Sequence, residues 1–101
     1  MVWENIISDR NLSEENIIKK DILKTGNFNI VTVYLGNNQE ILPHPEPYAV
    51  FFLVLQGSGI FTKESKTFSL QKGSGIYYEK NEVRGIKSND KLVLLGVQDP
   101  H

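Results

Sequence analysis

The chain has 101 residues, 11 basic against 12 acidic side chains, a formal net charge of -1 and no cysteine. That length holds one domain and buries roughly 60–65% of its unfolded surface, a modest core that self-association would enlarge. The balanced charge gives neither a polyphosphate-binding footprint nor an acidic tail, and the missing thiols exclude a disulfide framework, a thiolate zinc site and a cysteine nucleophile. At 40% hydrophobic and 23% charged residues, the composition is that of a folded globule.

Met1-Val2-Trp3-Glu4-Asn5 lacks the basic and apolar segments of a secretory signal. The longest apolar run, Ala49 to Leu55, is far below the ~20 residues of a membrane helix. The expectation is a cytoplasmic protein with no membrane contact. Asn11-Leu12-Ser13 fits a glycosylation acceptor, a pattern without weight in that compartment. Ser13-Glu14-Glu15-Asn16 is the one helical candidate, a single turn capped by Ser13, because its continuation is β-branched.

From there the pattern is strand and turn, repeated. Ile17 to Leu23 leads to the turn cluster Lys24-Thr25-Gly26-Asn27, and Phe28 to Leu35 follows as the second arm of a hairpin ending at Gly36-Asn37-Asn38. Pro43, Pro45 and Pro47 lack backbone donors, so their segment belongs to a loop or a strand edge. Ala49 to Leu55 is an apolar strand, and Gly57-Ser58-Gly59 is read as a turn into Ile60 to Lys63. Thr67 to Leu70, Ile76 to Tyr78, Val83 to Lys87 and Lys91 to Val97 complete the series, the last two split by Ser88-Asn89-Asp90. About eight short strands punctuated by turns predict an all-β sandwich or barrel.

Few residues are equipped for chemistry. Gly57-Ser58-Gly59 and Gly73-Ser74-Gly75 neither continue into a phosphate-binding motif nor open a helix, and turn conformation explains them. No serine stands in a nucleophile elbow, and His101, last in the chain, is expected to be mobile. Lys63 and Lys66 straddle Glu64, and Lys80 follows Glu79, so no basic face for nucleic acid is present. One segment remains, Gln39-Glu40-Ile41-Leu42-Pro43-His44-Pro45-Glu46, where an extended backbone puts His44 and Glu46 on the same face. An imidazole and a carboxylate make half of a metal site, which usually needs about three protein ligands.

The order strand, Pro-His-x-acid, apolar strand, Gly, hairpin, Lys-Gly-x-Gly, strand, turn, strand resembles the small single-domain cupins over residues 28 to 97. Against the first cupin motif, His44 stands at the first histidine, Glu46 at the second, Val50 at the glutamate and Gly57 at the closing glycine, with Asn38 replacing the opening glycine. Against the second motif, Gly73 fits the first glycine, while Glu79, Asn81, Arg84 and Ser88 replace the proline, second glycine, histidine and asparagine. The resemblance implies a small antiparallel jelly-roll β-barrel, with residues 1–23 as an N-terminal extension adding edge strands, and a homodimer. Trp3, Ile6 and Ile7 are apolar residues that a small monomer would struggle to bury, which fits a dimer independently.

Family cupins hold a divalent metal with the two histidines, the glutamate and the later histidine. Here only His44 is kept and Glu46 offers a ligand swap; Val50 cannot coordinate, and Arg84 carries a permanent charge that a dication would repel. No cofactor is therefore expected, with His44 and Glu46 as weak candidates for a metal. If Arg84 points inward its charge needs a partner. One reading pairs it with Glu46 to close a vacated site; another makes it a bidentate seat for the carboxylate or phosphate of a small ligand, walled by Tyr48, Phe52 and Tyr78. Three functions stand: a metal-poor module that binds or senses a small anion with Arg84, His44 and Glu46 at its pocket, a metal-dependent enzyme of isomerase, dioxygenase or lyase type using His44, Glu46 and ligands outside the family's set, and a structural or partner-binding barrel with a filled interior.

Overall fold

A computed structural model describes residues 1–8 and 11–101 of the chain. It contains seven strands: β1 (Ile18–Lys24), β2 (Asn29–Leu35), β3 (Glu40–Pro45), β4 (Val50–Lys63), β5 (Lys66–Gln71), β6 (Gly75–Tyr78) and β7 (Val83–Gln98). All pairings are antiparallel; the order is β1-β2-β7-β4-β5, with β3 on β7 and β6 on β4.

The architecture follows from two strands that serve two sheets each. Val50–Val54 of β4 pairs with Leu94–Gln98 of β7, and β2 and β6 extend that ladder on either side. Farther along, Gly59–Lys63 of β4 pairs with Arg84–Ser88 of β7, flanked there by β3 and β5. Register shifts between Val54 and Gln56 and between Gly57 and Gly59 mark the corner where both strands cross from one sheet to the other. The result is the expected small antiparallel jelly-roll barrel.

The strand count is corrected by the same corner. Gly57-Ser58-Gly59 and Ser88-Asn89-Asp90 do not reverse the chain; they lie within β4 and β7, so four expected short strands are two long ones. A Cβ on Gly57 (φ +83°) would lie 1.6 Å from the Lys91 carbonyl oxygen, so this glycine permits close approach of two strands. The N-terminal stretch contributes one edge strand, β1, rather than several. The β1–β2 hairpin forms as read: Thr25 N–H donates to Phe28 O at 2.9 Å, and Thr25 Oγ1 accepts from the N–H groups of Asn27 and Phe28 at 3.1 and 3.0 Å. Ser13 Oγ accepts from Glu15 and Asn16 N–H, each at 3.2 Å, so the cap forms but no helix follows. Pro43 and Pro45 lie on β3 and Pro47 just beyond it; among the described residues β3 pairs only with β7, and it slips register between Ile41 and His44, as expected of an edge strand with missing donors.

Alternation along the strands places the core. Val31, Val33 and Leu35 of β2, Val50, Phe52 and Val54 of β4, and Leu92 and Leu94 of β7 point between the sheets, meeting Phe61 and Ile86 from the opposite side. Outside the barrel, the buried Tyr34 ring of β2 is tied by its hydroxyl, which donates to Ile6 O at 2.6 Å.

Candidate functional site

The inner face is layered by register. Asn29, Gln98, Val50 and Tyr78 form one row across β2, β7, β4 and β6, and Val31, Gly96, Phe52 and Ile76 form the next. The first row is partly polar and the second wholly apolar. Opposite, His44 of β3 faces Arg84 of β7 as a register partner.

Between these walls lies a cavity of about 240 Å³. Val33, Val50, Phe52 and Ile86 supply apolar surface to it; His44, Glu46, Tyr48 and Arg84 contribute polar groups, joined by Lys19 and Gln98. Of the six side chains singled out from sequence, five thus meet at one cavity. The sixth, Tyr78, is fully buried behind Arg84 and edge-on to Phe52 at 6.4 Å between ring centres. His44, Glu46, Val50 and Arg84, the four positions aligned with the cupin metal ligands, all line this cavity.

Arg84 is 5% exposed and, among the described residues, bonded to backbone and not to a carboxylate. Its Nη2 donates to the carbonyls of Tyr48 at 2.8 Å and Glu79 at 2.9 Å, and Nε makes a long 3.5 Å contact with Glu82 O. Its Cζ lies 5.3 Å from the ring centres of both Tyr48 and Tyr78, so two aromatic faces attend the cation. Nη1 is buried and has no hydrogen-bond partner among the described residues. One expectation is corrected here. Glu46 does not pair with Arg84, because its Oε1 lies 2.9 Å from His44 Nε2. In this arrangement Nη2 is occupied by two carbonyls, and Nη1 is the donor without a partner among the described residues.

His44 is fixed at both nitrogens, Nε2 at Glu46 and Nδ1 2.7 Å from Leu42 O. The residues do not fit a divalent metal. Among the described residues no group of three or more His, Cys, Asp or Glu side chains is gathered to hold one, and the remaining aligned positions supply an aliphatic group and a fixed cation. Among the described residues, the charged groups of the cavity are instead two cations, Lys19 and Arg84, against one carboxylate, Glu46, before His44 is counted.

The environment also perturbs the two phenols around Arg84. Burial pushes Tyr48 above its ordinary value; the Glu46 carboxylate adds to this and the Arg84 charge opposes it. Tyr78 is raised further, again chiefly by burial, against the opposing pull of Arg84. Both rings therefore stand beside the guanidinium as neutral phenols at neutral pH.

Sequence reasoning missed Lys19, Gln98 and His101. Lys19 is in register with Val33 and so faces inward; strict alternation from Ile17 would have found it. Gln98 required the Asn29–Gln98–Val50 row, a long-range pairing. His101, expected to be mobile, stacks on Tyr48 with ring centres 3.9 Å apart and planes 7° from parallel.

No protein-family model and no curated protein matches the sequence. Solved structures do match its fold. An RmlC-like cupin from Desulfovibrio desulfuricans superposes with a TM-score of 0.87 at 17% identity, over 99% of this chain and 97% of that one. A conserved protein with a double-stranded β-helix domain from Klebsiella pneumoniae gives 0.80 at 19% identity, over 91% and 85%. A cupin superfamily protein from Desulfitobacterium hafniense gives 0.79 at 11% identity, over 88% and 82%. The fold is that of the cupins. At such identities it specifies no activity, since this architecture hosts many.

Proposed function

We propose that this cupin-fold chain binds a small organic anion in the cavity between its sheets, with Arg84 as the fixed charge that holds it and no metal ion taking part. The observation that carries the reading is the state of Arg84: a buried guanidinium that, among the described residues, has no carboxylate beside it and one nitrogen unpaired. Leaving a buried charge without a counter-charge is costly, and an anion would offset that cost. The layered lining describes the ligand further. A carboxylate or similar acceptor meets Arg84 and Lys19, and an apolar body rests on Val33, Phe52 and Ile86. A volume of about 240 Å³ suits a compact molecule. The same cavity weighs against a barrel filled with side chains, and the donor set weighs against a metal enzyme.

The test uses 4-fluorobenzoate, with inorganic phosphate as an anion lacking an apolar body. Saturable binding of 4-fluorobenzoate by calorimetry, with a rise in thermal midpoint, is expected for the natural chain and not for Arg84→Met. Equal binding by both proteins, or none by the natural chain, would overturn the reading. A pairing with a second copy goes with this proposal, supported by the exposed apolar side chains of Val2, Trp3 and Ile7; sedimentation at the monomer mass across micromolar concentrations would remove it. Among the described residues no helix is long and apolar enough to cross a membrane, which is compatible with a cytoplasmic setting.

A further inference from the structure

The free donor of the proposed site is closed off. Arg84 lines the cavity, yet its unpaired Nη1 is buried from solvent. Two rings have their centres 5.3 Å from its Cζ. Tyr78 is immobilised by complete burial and by its hydroxyl, which donates to Thr62 O at 2.9 Å. Tyr48 is carried on the short connection between β3 and β4. Its carbonyl is held by Arg84, but its hydroxyl makes no hydrogen bond among the described residues. The direction of the Tyr48 ring therefore depends on what lies against it.

What lies against it is His101. The two rings are nearly parallel at 3.9 Å. His101 Nε2 is 3.0 Å from Gln98 Oε1, and Gln98 lines the same cavity. The segment is fastened one step earlier: Ala49 N–H donates to Asp99 Oδ2 at 3.0 Å and Asp99 N–H donates to Ala49 O at 3.1 Å, which brings His101 beside Tyr48. Each bond joins the segment after β7 to the residues around the cavity mouth.

We infer that His101 is a positioning residue of the anion site: by stacking on Tyr48 it holds that ring beside the Arg84 guanidinium, and thereby sets how readily Nη1 can be reached. This rests on the reading of Arg84 as the anion seat. An incoming carboxylate must displace the Tyr48 ring to meet Nη1, and the stack with His101 opposes that displacement. Loosening the stack raises the fraction of molecules competent to bind, and with it the rate of entry.

Two measurements on the full chain separate this inference from the reading beneath it. Without any ligand, solvent exchange of the Arg84 guanidinium protons, followed by nitrogen-15 NMR, should speed up by about fivefold in His101→Ala, the order that one aromatic contact is worth. His101→Phe, which keeps a flat ring, should restore slow exchange. His101→Gln, which keeps a polar group but no ring, should not. With 4-fluorobenzoate, fluorine-19 line shapes should give a faster association rate in His101→Ala by a similar factor. Unchanged exchange in His101→Ala overturns the inference even if the anion binds, and so does a phenylalanine variant that behaves as the alanine one. Accelerated exchange with no anion bound by any form upholds the seal and removes the anion reading instead.

Discussion

His44 and Arg84 stand opposite one another across β3 and β7, yet the carboxylate two residues beyond the histidine goes to His44 and leaves the arginine without an anion. The consequence is a division of charge within one cavity. Glu46 is bonded to the imidazole at the half-exposed rim, while Arg84, deeper, is held by carbonyl oxygens and tyrosine faces. Carbonyls and π-faces stabilise a cation but carry no net charge, so the deep end of the cavity stays positive.

Replacing Arg84 separates its structural role from its binding role. Arg84→Met keeps most of the side-chain volume but removes two part-buried hydrogen bonds from a charged donor to the carbonyls of Tyr48 and Glu79, each worth about 1.5 kcal/mol. Removing an uncompensated charge offsets part of that. A net loss of about 1–3 kcal/mol in urea unfolding is expected, together with loss of 4-fluorobenzoate binding. Arg84→Lys, which keeps the charge but not the planar fork, should retain measurable binding. Binding by the methionine variant equal to that of the natural chain would show that the anion sits elsewhere.

Glu46→Gln should act in the opposite direction on affinity. The His44–Glu46 pair is 42% and 30% exposed on its two sides, so its loss should cost less than about 1 kcal/mol of stability. Removing the cavity's carboxylate leaves Lys19 and Arg84 unopposed, and anion affinity should rise by about fivefold, which corresponds to about 1 kcal/mol of Coulomb energy at this range. Calorimetric titration of the variant decides the matter. Weaker anion binding in Glu46→Gln would mean that this carboxylate contacts the ligand directly, contrary to the site as drawn.

The corner of β4 gives a paired prediction about stability. Gly57 and Gly73 both have positive φ, at +83° and +91°, yet only Gly57 is hemmed in: its Cβ would collide with Lys91 O, whereas nothing lies within 4 Å of the corresponding point on Gly73. Gly73→Ala should therefore cost about 1 kcal/mol, the backbone penalty alone. Gly57→Ala should cost more than about 3 kcal/mol, or abolish folding, because two strands must part. Similar urea midpoints for the two variants would refute this account of the corner.

Those glycines also mark where the sequence stops being legible. Residue type at Gly57 and Gly73 signals a positive φ in both cases, and local chemistry does not distinguish a reversal from a sheet-crossing bend; the distinction lies in Leu92 and Ser88, some thirty residues away, which pair with Gly57 and Gly59. The hairpin at Thr25 was readable because every interaction that closes it lies within a few residues. Among site residues, His44 was found because it keeps a motif position and Glu46 and Arg84 because they depart from one, but the choice of Glu46's partner was not, since it depends on a rotamer at the cavity mouth. His101 was dismissed from its place in the chain, whereas the Asp99–Ala49 bonds that order it join residues fifty apart.

The tyrosines around Arg84 predict how stability responds to alkali. Tyr78 titrates above its ordinary 10.0 in the folded protein because burial disfavours the phenolate, and the Arg84 charge only partly offsets that; Tyr48 is shifted the same way. The folded state thus keeps phenolic protons that the unfolded chain releases. Stability from these groups is fully present below about pH 10 and is lost as pH rises above it, by up to about 1.4 kcal/mol per pH unit for each phenol that ionises only on unfolding. Tyr78→Phe removes one such proton at the cost of about 1 kcal/mol for the hydrogen bond to Thr62 O. Urea unfolding at intervals from pH 8 to 11 should show the natural chain weakening above pH 10 and the phenylalanine variant, less stable at pH 8, weakening less steeply. Parallel curves for the two proteins would mean that Tyr78 ionises as easily folded as unfolded, and that the aromatic wall beside Arg84 is open to water.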